Sequence, residues 1–287
     1  MSFTPPDTPA WQAFCAARGL RPAGIAGRGL DFTVLRMVDA AGDQVAVKVP
    51  HARFSSNVND PHVDRRILLL QEYDVTSHLT VHGLTVARPR ELYLSAELDV
   101  LVCDHVPDGG LGVDGEALGA LLARLHAVPI PERPLVASEG DLTTGEIIVQ
   151  RVERRWKELG RLHPALPALP ALAVPPAGRN ALLHMDVRAA NLRCPDRRSP
   201  VLVDWANALV ADPALELARV SEFARIPGNG IDIDGLRRGY GAAPPVPLLY
   251  HLDAAVLLAL VFRSEAPDPV LGPQWTDRAV TLARRLV

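Results

Sequence analysis

LLHMDVRAANLRC (Leu182–Cys194), followed shortly by PVLVDWANALVADPALELARV (Pro200–Val220), is the stretch on which the reading of this chain turns. His184, Asp186 and Asn191 stand in the pattern H-x-D-x4-N. Short β-type runs flank it, at Ala181–His184 and Val201–Asp204, and the second run ends in Asp204. Two carboxylates and a carboxamide are thus set beside strands otherwise fit for burial. Hard oxygen donors of this kind are what magnesium prefers, and a positioned carboxylate can take a proton from a hydroxyl. Taken alone, H-x-D-x4-N also describes ordinary loop residues beside a buried strand. The downstream run with Asp204 at its end is what lifts it above that reading. His184 is expected to bond backbone around the loop rather than to carry a proton.

Working outward, the N-terminal third reads as strands with one helix. Thr33–Val38 and Val45–Val49 flank a turn at Ala40–Asp43 and make a hairpin. Arg65–Leu79 mixes charges with Leu69, Leu70 and Tyr73, as a helix laid on a sheet does. Glu91–Leu94 and Asp99–Asp104 read as two further strands, and Val106–Gly110 breaks the pattern as a linker. Beyond it the chain is mainly helical. Leu118, Leu121, Leu122 and Leu125 fall on one helix face. Thr144–Leu162 is a second helix, and the proline-laced stretch after it cannot be one. Three more helices are expected near Pro213–Ala224, Pro247–Arg263 and Trp275–Leu286. The predicted division is residues 1–106 and 107–287.

Composition narrows the class. About half of the 287 residues are apolar, enough for a sizeable core without disulfides or metal staples. Cys15, Cys103 and Cys194 are far apart with no C-x-x-C pairing, which fits a reducing cytosol. The start, MSFTPPDTP, has no basic region and no apolar run, so no secretory signal is expected. Leu248–Phe262 is interrupted by His251 and Asp253 and is too short and polar for a membrane span. A net charge of -3 offers no footprint for nucleic acid. The basic residues are almost all arginine: Lys48 and Lys157 are the two lysines.

Phosphoryl transfer needs an oriented hydroxyl that loses its proton and a metal that neutralises the triphosphate. The central motif resembles the catalytic loop of kinases, in which an Asp accepts that proton and a later Asn binds metal. On this resemblance Asp186 is the candidate base, and Asn191 and Asp204 are candidate magnesium ligands. Asp204 takes the place of the Asp of the kinase D-F-G motif, here followed by Trp205 and Ala206. The hairpin resembles kinases too: Gly27 and Gly29 before it would cover the phosphates, and Lys48, in V-A-V-K, would hold the α/β-phosphates. G-x-G alone is common in turns, and a lone strand lysine can face solvent. The scarcity of lysine and the valines flanking Lys48 favour function. A half-buried lysine needs an anion. Glu72 on the following helix is the candidate, with Asp64 and Asp74 competing. Arg188 is placed to contact the transferred phosphoryl, or equally to pair with a nearby carboxylate.

The whole pattern resembles the aminoglycoside phosphotransferase and choline kinase-like enzymes. HMDVRAAN resembles their H-G-D-x-x-x-x-N, VLVDWANALVADPALELARV their metal Asp followed by D-P-x-x-x-L-A, and EALGALLARLHAVP their helix ending in L-H-x. LDVLVCDHVPDGG resembles their hinge; by position Asp104 and Val106 would hold the adenine through main-chain groups, and Cys103 would line the inner end of the pocket. The resemblance covers Gly24 to Arg225. Met185 departs from it, standing where a small glycine is usual, and Arg188 is not the acidic or His residue often found there. The resemblance implies an α+β, bilobal protein kinase-like fold, with a small antiparallel-sheet N-lobe and a mainly helical C-lobe. It implies ATP or GTP with magnesium (Mg2+) and a small-molecule hydroxyl acceptor, an antibiotic or related metabolite. A housekeeping sugar, amino-alcohol or nucleoside kinase is the alternative; a nucleotide-binding pseudokinase is the alternative from another class. A cytoplasmic protein with no nucleic-acid or membrane partner is expected; the sequence does not indicate its oligomeric state. From Pro107 onward there are 21 acidic and 20 basic residues. Glu146, Glu153, Glu216 and Glu222 are interleaved with Arg151, Arg154, Arg155 and Arg219. The expected acceptor is therefore neutral or carries at most one or two positive charges.

Overall fold

The computed structural model describes residues 8–56, 62–110, 112–132, 135, 142–196 and 198–286. The first seven residues, where no secretory signal is expected, lie outside them. Helix α1 (Pro9–Arg18) starts on Thr8, whose hydroxyl accepts from the N–H of Trp11, and ends at Gly19 with φ 59°. It is a second helix in a region read as having one. Only Trp11 and Phe14 are buried on it, too few to mark a helical period.

The strands β1 (Arg21–Arg28), β2 (Phe32–Val38) and β3 (Gln44–Pro50) come next. Two short strands, β4 (Phe54–Ser55) and β5 (Val63–Asp64), pair with each other. Then come α2 (Arg65–Val81), β6 (Pro89–Leu94) and β7 (Asp99–Asp104). One antiparallel sheet runs in the order β1-β2-β3-β7-β6. Gly27 lies in β1 and Gly29 in the turn that follows, so a further strand precedes the expected hairpin. Strand alternation decides what each face carries. Met37, Val45, Val47, Val100 and Val102 pack on Trp11 and Phe14 of α1. Leu101 and Cys103 pack on the other side with Phe32 and Leu69 of α2. Lys48, between Val47 and Val49, therefore falls on the α2 side.

The rest is mainly helical: α3 (Gly115–Leu125), α4 (Thr144–Leu162), α5 (Pro213–Phe223), α6 (Ile233–Tyr240), α7 (Leu248–Leu260) and α8 (Leu271–Arg284). The four leucines read as one face of α3 are all buried. α4 starts on a capping box between Thr143 and Glu146. α6 was not expected, and α8 starts at Leu271 rather than Trp275. α3 and α6 cross so closely that a Cβ on Gly119 would lie 2.0 Å from the Leu236 carbonyl oxygen. Two small ribbons sit among the helices: β8 (Ala181–Leu183) pairs with β11 (Leu209–Ala211), and β9 (Leu192–Arg193) with β10 (Val201–Leu202). They fix both ends of the H-x-D-x4-N loop. The result is an α+β, bilobal fold, with a small sheet lobe and a larger helical lobe. No helix among the described residues is long and apolar enough to cross a membrane.

α7 is buried from Leu249 to Leu260 except at His251, and it forms the centre of the largest apolar cluster with α4, α5 and α8. A charge sits within that apolar helix. Asp253 is buried and accepts from Arg151 and Arg155 of α4, each at 2.7 Å. Burial would raise its pKa, but the two guanidiniums hold it down at about 2. Its stabilising effect is therefore complete above the ordinary value of 3.8 and is lost as pH falls toward about 2. This carboxylate should account for about 2 kcal/mol of acid destabilisation in that window. Denaturant unfolding from pH 5 to pH 2 checks it. Asp253→Asn should be less stable at pH 7 by about 3 kcal/mol and should respond less to acid; an unchanged acid response would refute the assignment.

Candidate active site

A cleft of about 1680 Å³ opens between the α2 side of the sheet and the ribbons and helices of the larger lobe. Every expected site residue lines it. Gly27, Gly29, Lys48, Glu72, Cys103, Asp104 and Val106 come from the sheet lobe, and Asp186, Arg188, Asn191 and Asp204 from the other.

Lys48 is at the centre. Its Nζ donates to Glu72 Oε2 and, at 2.7 Å, to Asp204 Oδ1. The ring of Phe32 lies 4.5 Å from it. Burial works against the ammonium, but the two carboxylates outweigh it and hold the Lys48 pKa above its ordinary value. Burial raises Glu72, and nearby Asp204 adds to this against the pull of Lys48. For Asp204, Lys48 more than reverses the effect of burial and keeps the carboxylate low. Asp64, a competitor for the lysine, caps α2 instead by accepting from the N–H of Arg66.

The loop holds its groups by mutual bonds. Asn191 Nδ2 donates to Asp186 Oδ2 at 2.7 Å and to the Asp186 carbonyl at 3.0 Å, leaving the amide oxygen as its remaining polar group. Arg188 Nε donates to the Asp186 carboxylate at 3.1 Å from an exposed side chain, so of its two expected contacts it makes the carboxylate one here. His184 is fully buried; its Nδ1 accepts from the Asp186 N–H and its Nε2 donates to the Val203 carbonyl. That is a backbone-bonding histidine. Met185 has φ 65° and Asp204 φ 68°, both left-handed. The first explains why a glycine suits that position: a side chain there costs about 1 kcal/mol or more.

On the sheet side, the Gly29 N–H is bonded to the Phe32 carbonyl at 2.9 Å, and a Cβ on Gly27 would meet open space. The Asp104 N–H is bonded to the Arg88 carbonyl at 2.8 Å, so this residue has no main-chain donor left for a base. Its carboxylate pairs with Arg88 and Arg90. Cys103 is packed against Leu69 and Leu101, and burial pushes its thiol pKa up.

Two supports were not read from sequence. Gln71, beside Glu72 on α2, donates to the carbonyls of Ala206 and Ala208 at 2.9 and 3.0 Å and so holds the turn after Asp204. Glu216 of α5 is fully buried and accepts from the Met185 N–H. It also pairs with His126 Nε2 at 2.8 Å, while His126 Nδ1 meets the Tyr240 hydroxyl. The signal for this pair was present in the L-H ending of α3 and the Glu after Asp212-Pro213, but the partners are far apart in sequence.

The arrangement can hold a phosphate chain against Lys48, a divalent ion at hard oxygens, and a hydroxyl against Asp186. Solved structures share its fold at low identity. A gentamicin–APH(2")-IIa complex matches at 14% identity and TM-score 0.64, covering 99% of this chain and 97% of that one. A thermostable mutant of aminoglycoside phosphotransferase APH(4)-Ia, in ternary complex with AMP-PNP and hygromycin B, matches at 13% and 0.63, covering 96% and 98%. Macrolide 2'-phosphotransferase MphH from Brachybacterium faecium matches at 19% and 0.55, covering 96% and 98%. No curated protein matches the sequence. Residues 26–250 match the family model described as the phosphotransferase enzyme family, and with most of its length inside that match the chain belongs to this family.

Proposed function

We propose that the protein moves the γ-phosphate of ATP or GTP, with magnesium, onto a hydroxyl of a small molecule, an antibiotic or related metabolite. The observation that carries this reading is the meeting of Lys48, Asp204, Asn191 and Asp186, from three separate segments, in one cleft. Residues 1–106 would bind the nucleotide and residues 107–287 would carry the catalytic loop and acceptor site. That the acting set is complete argues against a pseudokinase. A housekeeping kinase would use the same residues. The solved proteins that share the fold include one with ADP and spectinomycin bound and an amicoumacin kinase with AMP-PNP, which favours the antibiotic reading.

The donor set fits magnesium. This ion keeps several waters and takes one or two protein oxygens plus phosphates. Asp204 is about one-third exposed and gives one oxygen to Lys48, and Asn191 retains its amide oxygen. Bound there, the ion would neutralise the phosphate chain and polarise the transferred group. Lys48, held charged and aimed by Glu72, is the phosphate contact. Gly27, near the end of β1, and Gly29, in the turn after it, would cover the phosphates, with Cys103, Asp104 and Val106 around the base. Asp186 accepts the proton of the attacking hydroxyl as its oxygen bonds to the γ-phosphorus and the bond from that phosphorus to the β–γ bridging oxygen breaks, releasing the nucleoside diphosphate. Asn191 keeps the carboxylate oriented. Arg188, on an exposed side chain, can leave Asp186 for the transferred phosphoryl and balance its charge.

Asp186→Asn should lower kcat by more than tenfold while leaving nucleotide affinity within about tenfold of wild type, since the base acts on the acceptor. Retention of over a tenth of kcat would exclude Asp186 as the base. Asp204→Ala should abolish the magnesium dependence of nucleotide binding, and Asn191→Ala should weaken it. Affinity titrations with and without magnesium decide this; an Asp204→Ala variant with unchanged dependence would remove Asp204 from the metal site.

A further inference from the structure

The helical side of the cleft carries a charge arrangement that phosphoryl transfer does not use. Arg151, Arg154 and Arg155 of α4 line it, and α5 adds Arg219. None of the four carboxylates interleaved with them in sequence does so. Glu146 closes the cap of α4. Glu153 is exposed outside the cleft. Glu216 is spent on His126 and Met185, and Glu222 on His251 and Arg278. Folding has sorted charges that look balanced along the chain, so a count that ignores facing misjudges the wall.

Asp253 lies beneath this wall and already serves both Arg151 and Arg155. Glu265, past the end of α7, is the other carboxylate on this side. Four guanidiniums thus face two carboxylates. Arg219 carries a buried donor that none of them meets: its Nε has no hydrogen-bond partner among the described residues, and its guanidinium lies 5.4 Å from the Phe223 ring centroid. Burial and neighbouring Arg151 push its pKa below the ordinary value. Burial pushes Arg155 down to about 9; Asp253 opposes this, while Arg151, Arg219 and Arg154 add to it. Arginine keeps its proton at neutral pH through such depressions. They register burial and the repulsion of neighbouring cations.

Resting on the phosphotransferase reading above, we propose that the acceptor carries, besides its reacting hydroxyl, an anionic oxygen group, a carboxylate or a phosphate, that docks on Arg219, Arg151 and Arg155. The planar fork of a guanidinium matches such groups two oxygens at a time. Arg219, Arg151 and Arg155 line the same cleft as Asp186. The anion and the hydroxyl therefore belong to one small molecule that reaches from α4 to the catalytic loop. A polycationic acceptor would meet like charge here and be rejected.

The test titrates inorganic phosphate in one arm and acetate in the other, by calorimetry, into protein saturated with AMP-PNP and magnesium. The nucleotide then fills the phosphate contacts around Lys48. One saturable site is expected for at least one anion, and the tighter of the two identifies the group. Arg219→Gln should weaken it at least tenfold, and Arg219→Lys by less; thermal melting checks that both variants fold. No saturable binding, or binding unchanged in Arg219→Gln, overturns the proposal. Phosphate transfer is measured separately on hydroxy acids and sugar phosphates beside their neutral parent polyols and kanamycin. A preference of at least tenfold in kcat/KM for the anionic compounds, lost through KM in Arg219→Gln, supports it. Transfer to neutral or cationic compounds alone overturns it while the phosphotransferase reading stands. Anion binding that needs Arg219, with no transfer to any compound, keeps the anion site and counts against that reading.

Discussion

One ammonium withdrawn from water holds this architecture together. Lys48 projects from a strand of the sheet, Glu72 from the helix packed on it, and Asp204 from a loop of the other lobe. Desolvating a charge is costly unless partners surround it, so the three segments are coupled: moving one leaves a charge stranded. Two carboxylates share the single cation. The arrangement is suited to exchange, because an arriving metal and phosphate chain would offer Asp204 a second cation and Lys48 a second anion at the same moment.

The groups of the candidate site are not those that fix its geometry. Met185 and Asp204 both hold backbone angles that L-residues rarely adopt, and such strain persists only where the surroundings over-determine it. The surroundings here are polar and buried. Glu216 takes the Met185 N–H, His184 spans from Asp186 to Val203, and Gln71 grips the turn behind Asp204. Each of these side chains bonds backbone on one side and is braced by a helix or an aromatic ring on the other; the Trp205 ring lies edge-on to His184 at 4.5 Å. The candidate reacting groups are thus preorganised from behind.

Much of the fold was legible because its signals are local. Two runs flanking a turn marked the hairpin, a leucine face marked α3, and α4 begins at the residue expected, where the structure shows a threonine–glutamate cap. The placement of Lys48 was legible for a different reason: a strand lysine between valines, in a chain nearly without lysine, has few reasons to be there. α1 and α6 were not legible. The first buries two residues, and the second is an eight-residue helix with two glycines, whose apolar face is only Ile233, Leu236 and Tyr240 and which nests against Gly119. The arginine wall was hidden for a deeper reason. Sequence shows that α4 alternates arginine and glutamate, but only the docking of α4 on Asp253 decides which charges turn toward the cavity. Facing is a tertiary property, and no local period encodes it.

The near-total replacement of lysine by arginine has a practical side. Of the two lysine side chains, Lys157 is exposed on α4, while Lys48 is closed off between its two carboxylates. Amine-directed reagents therefore meet one open side chain among the described residues. A fluorophore or surface linker coupled through an activated ester would attach at Lys157 of α4 or at the α-amino terminus and spare Lys48, so binding could be followed by optical or surface methods without engineering a handle into the chain.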